Sequence, residues 1–393
     1  MDFDFDRLID RRHSDSTKWR TYDEDVLPLW TADMDFAVPP PVIEALHERV
    51  AHGVFGYCVH PPELRELVAE RMWRLYRWRV RPDEVVLQTG VLKAFQLMAS
   101  LAAGPADGVL VQPPVYPPIL GTAQHNGSVH QEAPLVQRSD GQYEIDFNAF
   151  EAAITPATRL LILCNPHNPV GRVFHRDELE RLAAICLRHG VLICSDEIHC
   201  DLIYPGTTHL PIASLSPEVA ARTVTLMAPS KTFNIPGLRC SFAIVHDPAL
   251  RARIAGDHGG DFAEVNNLGL VAATAAYRDG QPWLDAVLRY LDANRAFVVD
   301  FVRRELPGVA AAAPEATYLA WLDFRQSPIS SDPYGFLLRQ ARVALSAGPS
   351  FGTGGDGFAR LKFGCPRATL RAALVRIKRA MDDQPTQVRL PGE

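Results

Sequence analysis

What this chain lacks narrows it first. Its seven cysteines (58, 164, 186, 194, 200, 240 and 365) include no Cys-x-x-Cys pair, and most sit in apolar runs. They read as reduced core residues of a cytoplasmic protein. The histidines do not join them at ligand spacing, so no metal site is expected. No run of Lys or Arg interrupts a chain of net charge −6, so nucleic acid is not an expected partner. No apolar stretch approaches membrane-spanning length, so no membrane partner is expected either. The opening Met1-Asp-Phe-Asp-Phe-Asp-Arg7 is acidic and has no apolar centre, so no signal peptide is expected. Internal repeats are absent.

What is present is a large apolar fraction, 47% of 393 residues, enough for two or three domains. Pro39-Pro40-Pro41 marks the entry to a helix at about 41–52, and Glu63 to about Arg79 reads as an amphipathic helix with Leu64, Leu67, Met72 and Leu75 inward. Strands and helices then alternate. The expected strands are Val85–Leu87, Gly108–Val111, Ser128–Glu132, Leu160–Leu163, Val191–Cys194, Thr223–Met227 and Cys240–Val245, with helices at 90–102, 146–154 and 175–189. This rhythm predicts an α/β fold, a mostly parallel seven-stranded sheet between helices. A long helix at 282–305 breaks it. Beyond it come strands at Tyr318–Leu322, Val343–Leu345 and Phe358–Phe363 and a closing helix at 367–382. The expected division is a large domain over 41–285 and a smaller α/β C-terminal domain over 286–393. Residues 1–40 should be irregular and pack on the smaller domain. The Gly-rich stretch 351–357 reads as a mobile loop, and the tail after Asp383 as frayed.

Ligands of an open α/β sheet bind outside the carboxyl ends of its strands. Polar residues follow the apolar runs here. Cys164-Asn-Pro-His-Asn-Pro-Val-Gly171 follows one strand and offers Asn168 as a hydrogen-bond donor. Asp196 ends the next strand, in Ser195-Asp-Glu-Ile-His199. Lys231 follows the third, in Ala228-Pro-Ser-Lys-Thr-Phe-Asn-Ile-Pro-Gly-Leu-Arg239. Each alone has a plain reading: a turn, a helix cap, a solvated lysine. Together they match the needs of a pyridoxal phosphate (PLP) site, in which a Lys forms the Schiff base, an Asp keeps the pyridine nitrogen protonated and an Arg meets the phosphate. Gly90 opens a helix whose first N–H groups could cradle that phosphate. Tyr116, between prolines, suits stacking on a planar ring, with a core or surface Tyr as the plain alternative. Arg367, ending Arg360-Leu-Lys-Phe-Gly-Cys-Pro-Arg367, is the expected partner of a substrate α-carboxylate.

The chain resembles, nearly end to end, the fold-type I PLP enzymes of the class I/II aminotransferase superfamily, and within them the cystathionine β-lyase (carbon–sulfur lyase) branch. Asn165-Pro-His-Asn-Pro169, Ser195-Asp-Glu197 and Ser230-Lys-Thr-Phe233 carry the superfamily resemblance. Trp30-Thr-Ala-Asp-Met-Asp-Phe36 and Asp196-Glu-Ile-His199 carry that to the branch. The resemblance implies that Lys231 holds the cofactor and acts as the Cα base, and that Asp196 pairs with the pyridine nitrogen. It implies that Asn168 bonds the ring hydroxyl, with His199 where aminotransferase relatives commonly place a Tyr, and that Tyr116 stacks on the ring. Ser230, Arg239 and the Gly90-Val91-Leu92 backbone would hold the phosphate. Tyr57 would reach the phosphate of a neighbouring subunit, which implies a homodimer with composite sites. Asp33 and its neighbours would line the substrate side, with Asn168 and Tyr57 contributing there.

The implied activity is α,β-elimination from L-cystathionine or a related sulfur-containing amino acid, giving a thiol, pyruvate and ammonia. An aminotransferase would use the same inner residues. So would an enzyme eliminating or oxidatively deaminating a bulky cysteine S-conjugate, for which Leu92-Lys93 and the segment 258–267 leave room. A catalytically silent sensor is disfavoured, because Lys231 and Asp196 are both present and no DNA-binding module is attached. Two departures stand out: Leu92-Lys93-Ala94 replaces the usual Pro and small residue, and Lys362 replaces the usual Asn.

Overall fold

The computed structural model describes residues 3–256 and 265–384. Residues 258–264 of the segment singled out above, and the tail from 385 onward, lie outside the described residues.

Seven strands form the main sheet: β1 (Val85–Gln88), β2 (Gly108–Val111), β3 (Val129–Glu132), β4 (Thr158–Cys164), β5 (Leu192–Asp196), β6 (Thr223–Met227) and β7 (Ser241–Val245). Their order is β1-β7-β6-β5-β4-β2-β3. All pairs are parallel except those of β7, which runs antiparallel to β1 and β6. The apolar runs of β4, β5 and β6 are buried on both faces, as parallel strands covered by helices must be. Helix α1 (Val91–Ala102) lies against one face through Phe95, Met98 and Ala99. Helix α2 (Arg176–Arg188) covers the other through Leu179, Leu182 and Cys186. It starts where Glu178 reaches back to the His175 amide at 2.8 Å, satisfying an otherwise orphan N–H.

Helix α3 (Asn267–Asp279) leads into the long helix α4 (Gln281–Glu305), so the domain boundary expected after residue 285 falls inside a continuous helix. A second, antiparallel sheet follows, built from β8 (Ala310–Ala311), β9 (Leu319–Asp323), β10 (Ser346–Ala347) and β11 (Phe358–Lys362), in the order β8-β9-β11-β10. Helix α5 (Arg367–Asp382) closes over its apolar side. The strand expected at 343–345 is split. Val343–Ala344 pairs in parallel with Leu27–Pro28, whereas Ser346–Ala347 pairs with β11. The N-terminal segment is thereby tied to this second sheet, and the Lys362 amide donates to the Leu29 carbonyl at 2.9 Å. The Gly-rich stretch is pinned as well: the Val115 amide donates to the Phe351 carbonyl at 2.9 Å, and buried Phe351 packs edge-on to Trp321.

Candidate active site

The strand register decides which side chains meet. Asp196 lies level with Cys164 on one side and Leu226 on the other. The loops leaving β4, β5 and β6 therefore start at one edge of the sheet. The first of them turns at Gly171, with φ +74°, where a Cβ would lie 2.3 Å from a Pro314 carbon. The loops open onto a cavity of about 790 Å³. Asn168, Asp196, His199, Ser230, Lys231 and Arg239 all line it, as do Gly90, Val91, Leu92 and Tyr116.

Lys231 sits in the short helix Pro229–Thr232. Its Nζ donates to the Ala32 carbonyl at 2.7 Å. Burial pushes its pKa down to about 8, opposed by Asp33, assisted by Arg360 and opposed by Asp196. Asp196 is fully buried, and burial raises it to about 7; the Ile198 amide at 3.1 Å and Lys231 pull the other way. His199 is held near 3 by burial, Lys231 and Arg360, so it is neutral, and its Nδ1 has no partner among the described residues. Burial raises the Tyr116 hydroxyl as well, so it stays un-ionised.

Arg360 was not singled out by the sequence reading. It projects from the middle of β11 into the same cavity, fully buried. Its guanidinium donates to Asn168 Oδ1 at 2.9 Å, to the Trp30 carbonyl at 2.8 Å and to Ser346 Oγ at 3.1 Å. Among the described residues it has no carboxylate partner and its Nε is unpaired, and burial lowers its pKa to about 10. A buried cation without an anion is costly. Of the two arginines it is Arg360, not the expected Arg367, that lines the cavity. Arg367 stands outside the cavity, where its Nε donates to Asn294 Oδ1 at 2.6 Å and its guanidinium stacks on Phe297. Its place at a helix start is satisfied by that side-chain pocket. The signal for Arg360 was available: an Arg inside Phe358-Ala-Arg-Leu-Lys-Phe363 is expensive unless something meets it.

Asp33 also departs from expectation. Trp30, Thr31 and Ala32 line the cavity, whereas Asp33 does not. It pairs with Arg11 at 2.7 Å and Lys18 at 2.9 Å. Asp35 beside it takes Arg11, Lys18 and Lys362, each at 2.7 Å. Lys362, the residue that departs from the branch pattern, is thus the buried partner of Asp35. The cluster holds the loop whose carbonyls at 30 and 32 receive Arg360 and Lys231. Tyr318, also unforeseen, donates to the same Ala32 carbonyl at 2.8 Å. Tyr57 does not line this cavity. It is fully exposed, on a stretch with exposed Val54, Phe55 and Val59.

The residues present fit PLP. A buried amine, a buried carboxylate, a neutral imidazole with an unpaired nitrogen, and the start of α1 beside Ser230 and Arg239 face one cavity. Residues 24–377 match the model of the aminotransferase class I and II family. The chain belongs to that family. Among its relatives is cystathionine beta-lyase PatB of Bacillus subtilis, 40% identical over 96% of this chain and 99% of that protein. The solved structure of OvoB superposes with a TM-score of 0.93 at 42% identity, covering 98% of this chain and all of that one. Cystalysin from Treponema denticola, whose structure contains pyridoxal 5'-phosphate, superposes with a TM-score of 0.93 at 32% identity, covering 98% of this chain and 100% of that one. As a class I and II aminotransferase family member, the chain has the fold-type I architecture, with the two sheets and joining helix described above.

Proposed function

We propose that this family member is a PLP-dependent carbon–sulfur β-lyase. It would act on L-cystathionine or a related cysteine S-conjugate. The observation that carries the reading is buried Arg360, without an anion among the described residues, opening into the cavity that holds Lys231 and Asp196. An α-carboxylate on Arg360 places an α-amino acid beside the amine. The names of PatB and of other relatives favour elimination.

Bound here, PLP supplies an electron sink for the bond electrons of Cα. Asp196 would pair with the pyridine nitrogen and hold a proton there, and a cation at that place would favour its ionised carboxylate. Asn168 and His199 would bond the cofactor's ring hydroxyl, and Tyr116 would stack on its ring. Ser230, Arg239 and the Gly90-Val91-Leu92 N–H groups would hold its phosphate. Lys231 would hold the cofactor through Nζ and, as a free amine, would take the Cα proton of the substrate. Its pKa near 8 leaves a useful neutral fraction near neutral pH. The Cβ–S bond breaks with its electron pair on sulfur, and the thiolate leaves. The remaining unsaturated amine hydrolyses to pyruvate and ammonia.

We further infer a cytoplasmic homodimer. Exposed Tyr57, Phe55, Val54 and Val59 support a subunit interface that carries Tyr57 to the partner's phosphate. Among the described residues no helix is long and apolar enough to cross a membrane.

The test is incubation of the PLP-loaded protein with cystathionine alone. Catalytic pyruvate and free thiol without any keto acid support the lyase. Strict dependence on a keto acid makes the protein an aminotransferase.

A further inference from the structure

The cavity has walls beyond the groups assigned above. Tyr22 and Trp30, from the N-terminal segment, and Tyr334, from the helix Pro333–Phe336, also line it. The two tyrosine hydroxyls lie 3.3 Å apart although 312 residues separate them in sequence. Trp30 meets Tyr22 edge-on, with ring centres 6.0 Å apart and planes at 86°. None of these rings is needed for the cofactor or for the α-carboxylate.

The charges on the wall are equally selective. Asp196 is the only carboxylate among the described residues lining the cavity, and it is committed to the cofactor. Lys93 lines the same cavity, is exposed, and has no ion pair among the described residues. A second ammonium on the substrate, such as the distal one of cystathionine, finds no free carboxylate among the described residues lining the cavity.

We propose that Tyr22, Trp30 and Tyr334 form the subsite for the group on sulfur, and that this group is a planar ring carrying no positive charge. The inference rests on the carbon–sulfur lyase reading and supplies its substrate class. Flat apolar rings gain edge and stacking contacts from such a wall, whereas a flexible aminocarboxylate arm does not. Aromatic faces also attract cations, so the test must separate ring from charge.

The PLP-loaded enzyme is assayed with S-benzyl-L-cysteine, L-cystathionine, S-aminoethyl-L-cysteine and, as a control with a small leaving group, β-chloro-L-alanine. Binding of the carbon isosteres of the first two, with methylene replacing sulfur, is measured by calorimetry. The expected result is a kcat/KM for S-benzyl-L-cysteine about tenfold or more above that for cystathionine, matched by tighter binding of its isostere. Tyr334→Leu should reduce the ratio of S-benzyl-L-cysteine to β-chloro-L-alanine turnover, and Tyr334→Phe, which keeps the ring, should largely restore it. Equal or better turnover of cystathionine or the aminoethyl conjugate overturns the inference. If β-chloro-L-alanine yields no pyruvate, the lyase reading fails instead. The calorimetric comparison then decides the subsite by itself: weaker or equal binding of the ring isostere overturns it.

Discussion

Arg360 donates to the side-chain oxygen of Asn168 across 192 positions of sequence. One residue comes from the middle of a strand in the second sheet, the other from the loop after β4 of the main sheet. The contact joins the proposed carboxylate site to the proposed ring-hydroxyl site, so substrate and cofactor would share one hydrogen-bonded frame.

Arg360→Lys is expected to lower kcat/KM for amino-acid substrates by roughly 100-fold or more, because a point charge cannot replace the two-pronged contact in a buried site. Arg367→Lys should change kcat/KM little. Steady-state kinetics on both variants decides between the two arginines, and a larger loss at Arg367 would reverse the correction.

Lys231→Ala should abolish both turnover and the visible absorbance of covalently held PLP, while circular dichroism remains native. Retention of that band after dialysis would show that another amine carries the cofactor.

The cofactor-free protein should show a particular pH signature at Asp196. Its carboxyl rises from an ordinary 3.8 to about 7 through burial. Between those values the folded state holds a proton the unfolded state has lost, so stability falls as pH rises through the window. Asp196→Asn removes that cost. Without PLP, the variant should be the more stable protein at pH 8, by roughly 2–4 kcal/mol. The gap should close below about pH 4. Thermal melts of apo wild type and variant across pH would test this; a pH-independent difference would contradict it.

Asp35→Ala should destabilise the fold by about 3–5 kcal/mol, because Lys18 and Lys362 are left buried without their shared partner. Burial would raise the Asp35 pKa, but Lys362 and Lys18 together hold it below its ordinary value. The stabilisation is therefore present above the unfolded carboxyl pKa and is lost as acid titrates the folded group. Denaturant melts near neutral pH, compared with melts in acid, measure both parts. Loss of order in the 30–36 loop should also loosen the carbonyls that receive Lys231 and Arg360, raising KM more than a surface variant does.

Much of this was legible in the chain because short apolar runs each ended in a polar group. Asn168, Asp196 and Lys231 follow three such runs. Parallel strands in register bring their carboxyl ends to one edge, so order along the sequence became proximity in space. The same logic misjudged the C-terminal strand. It looked for the functional Arg after the strand, at Arg367, as in the parallel sheet. The second sheet is antiparallel and presents Arg360 from mid-strand, where burial makes an unpaired guanidinium informative. Asp33 misled for a related reason: proximity to the cavity in sequence does not say which way a side chain turns when Lys18 and Arg11 compete for it.

By itself the sequence determined the alternation that builds the main sheet and the identity of the amine, carboxylate and amide at its edge. These depend on local pattern: apolar runs that must be buried, and turn residues that must follow them. Only the tertiary structure decided which arginine faces the amine, that Lys362 has a buried carboxylate partner, and that Tyr22 and Tyr334 meet on one cavity wall. Those outcomes depend on long-range packing of the N-terminal segment against the second sheet. There, each buried charge and ring takes whichever partner the fold brings within reach.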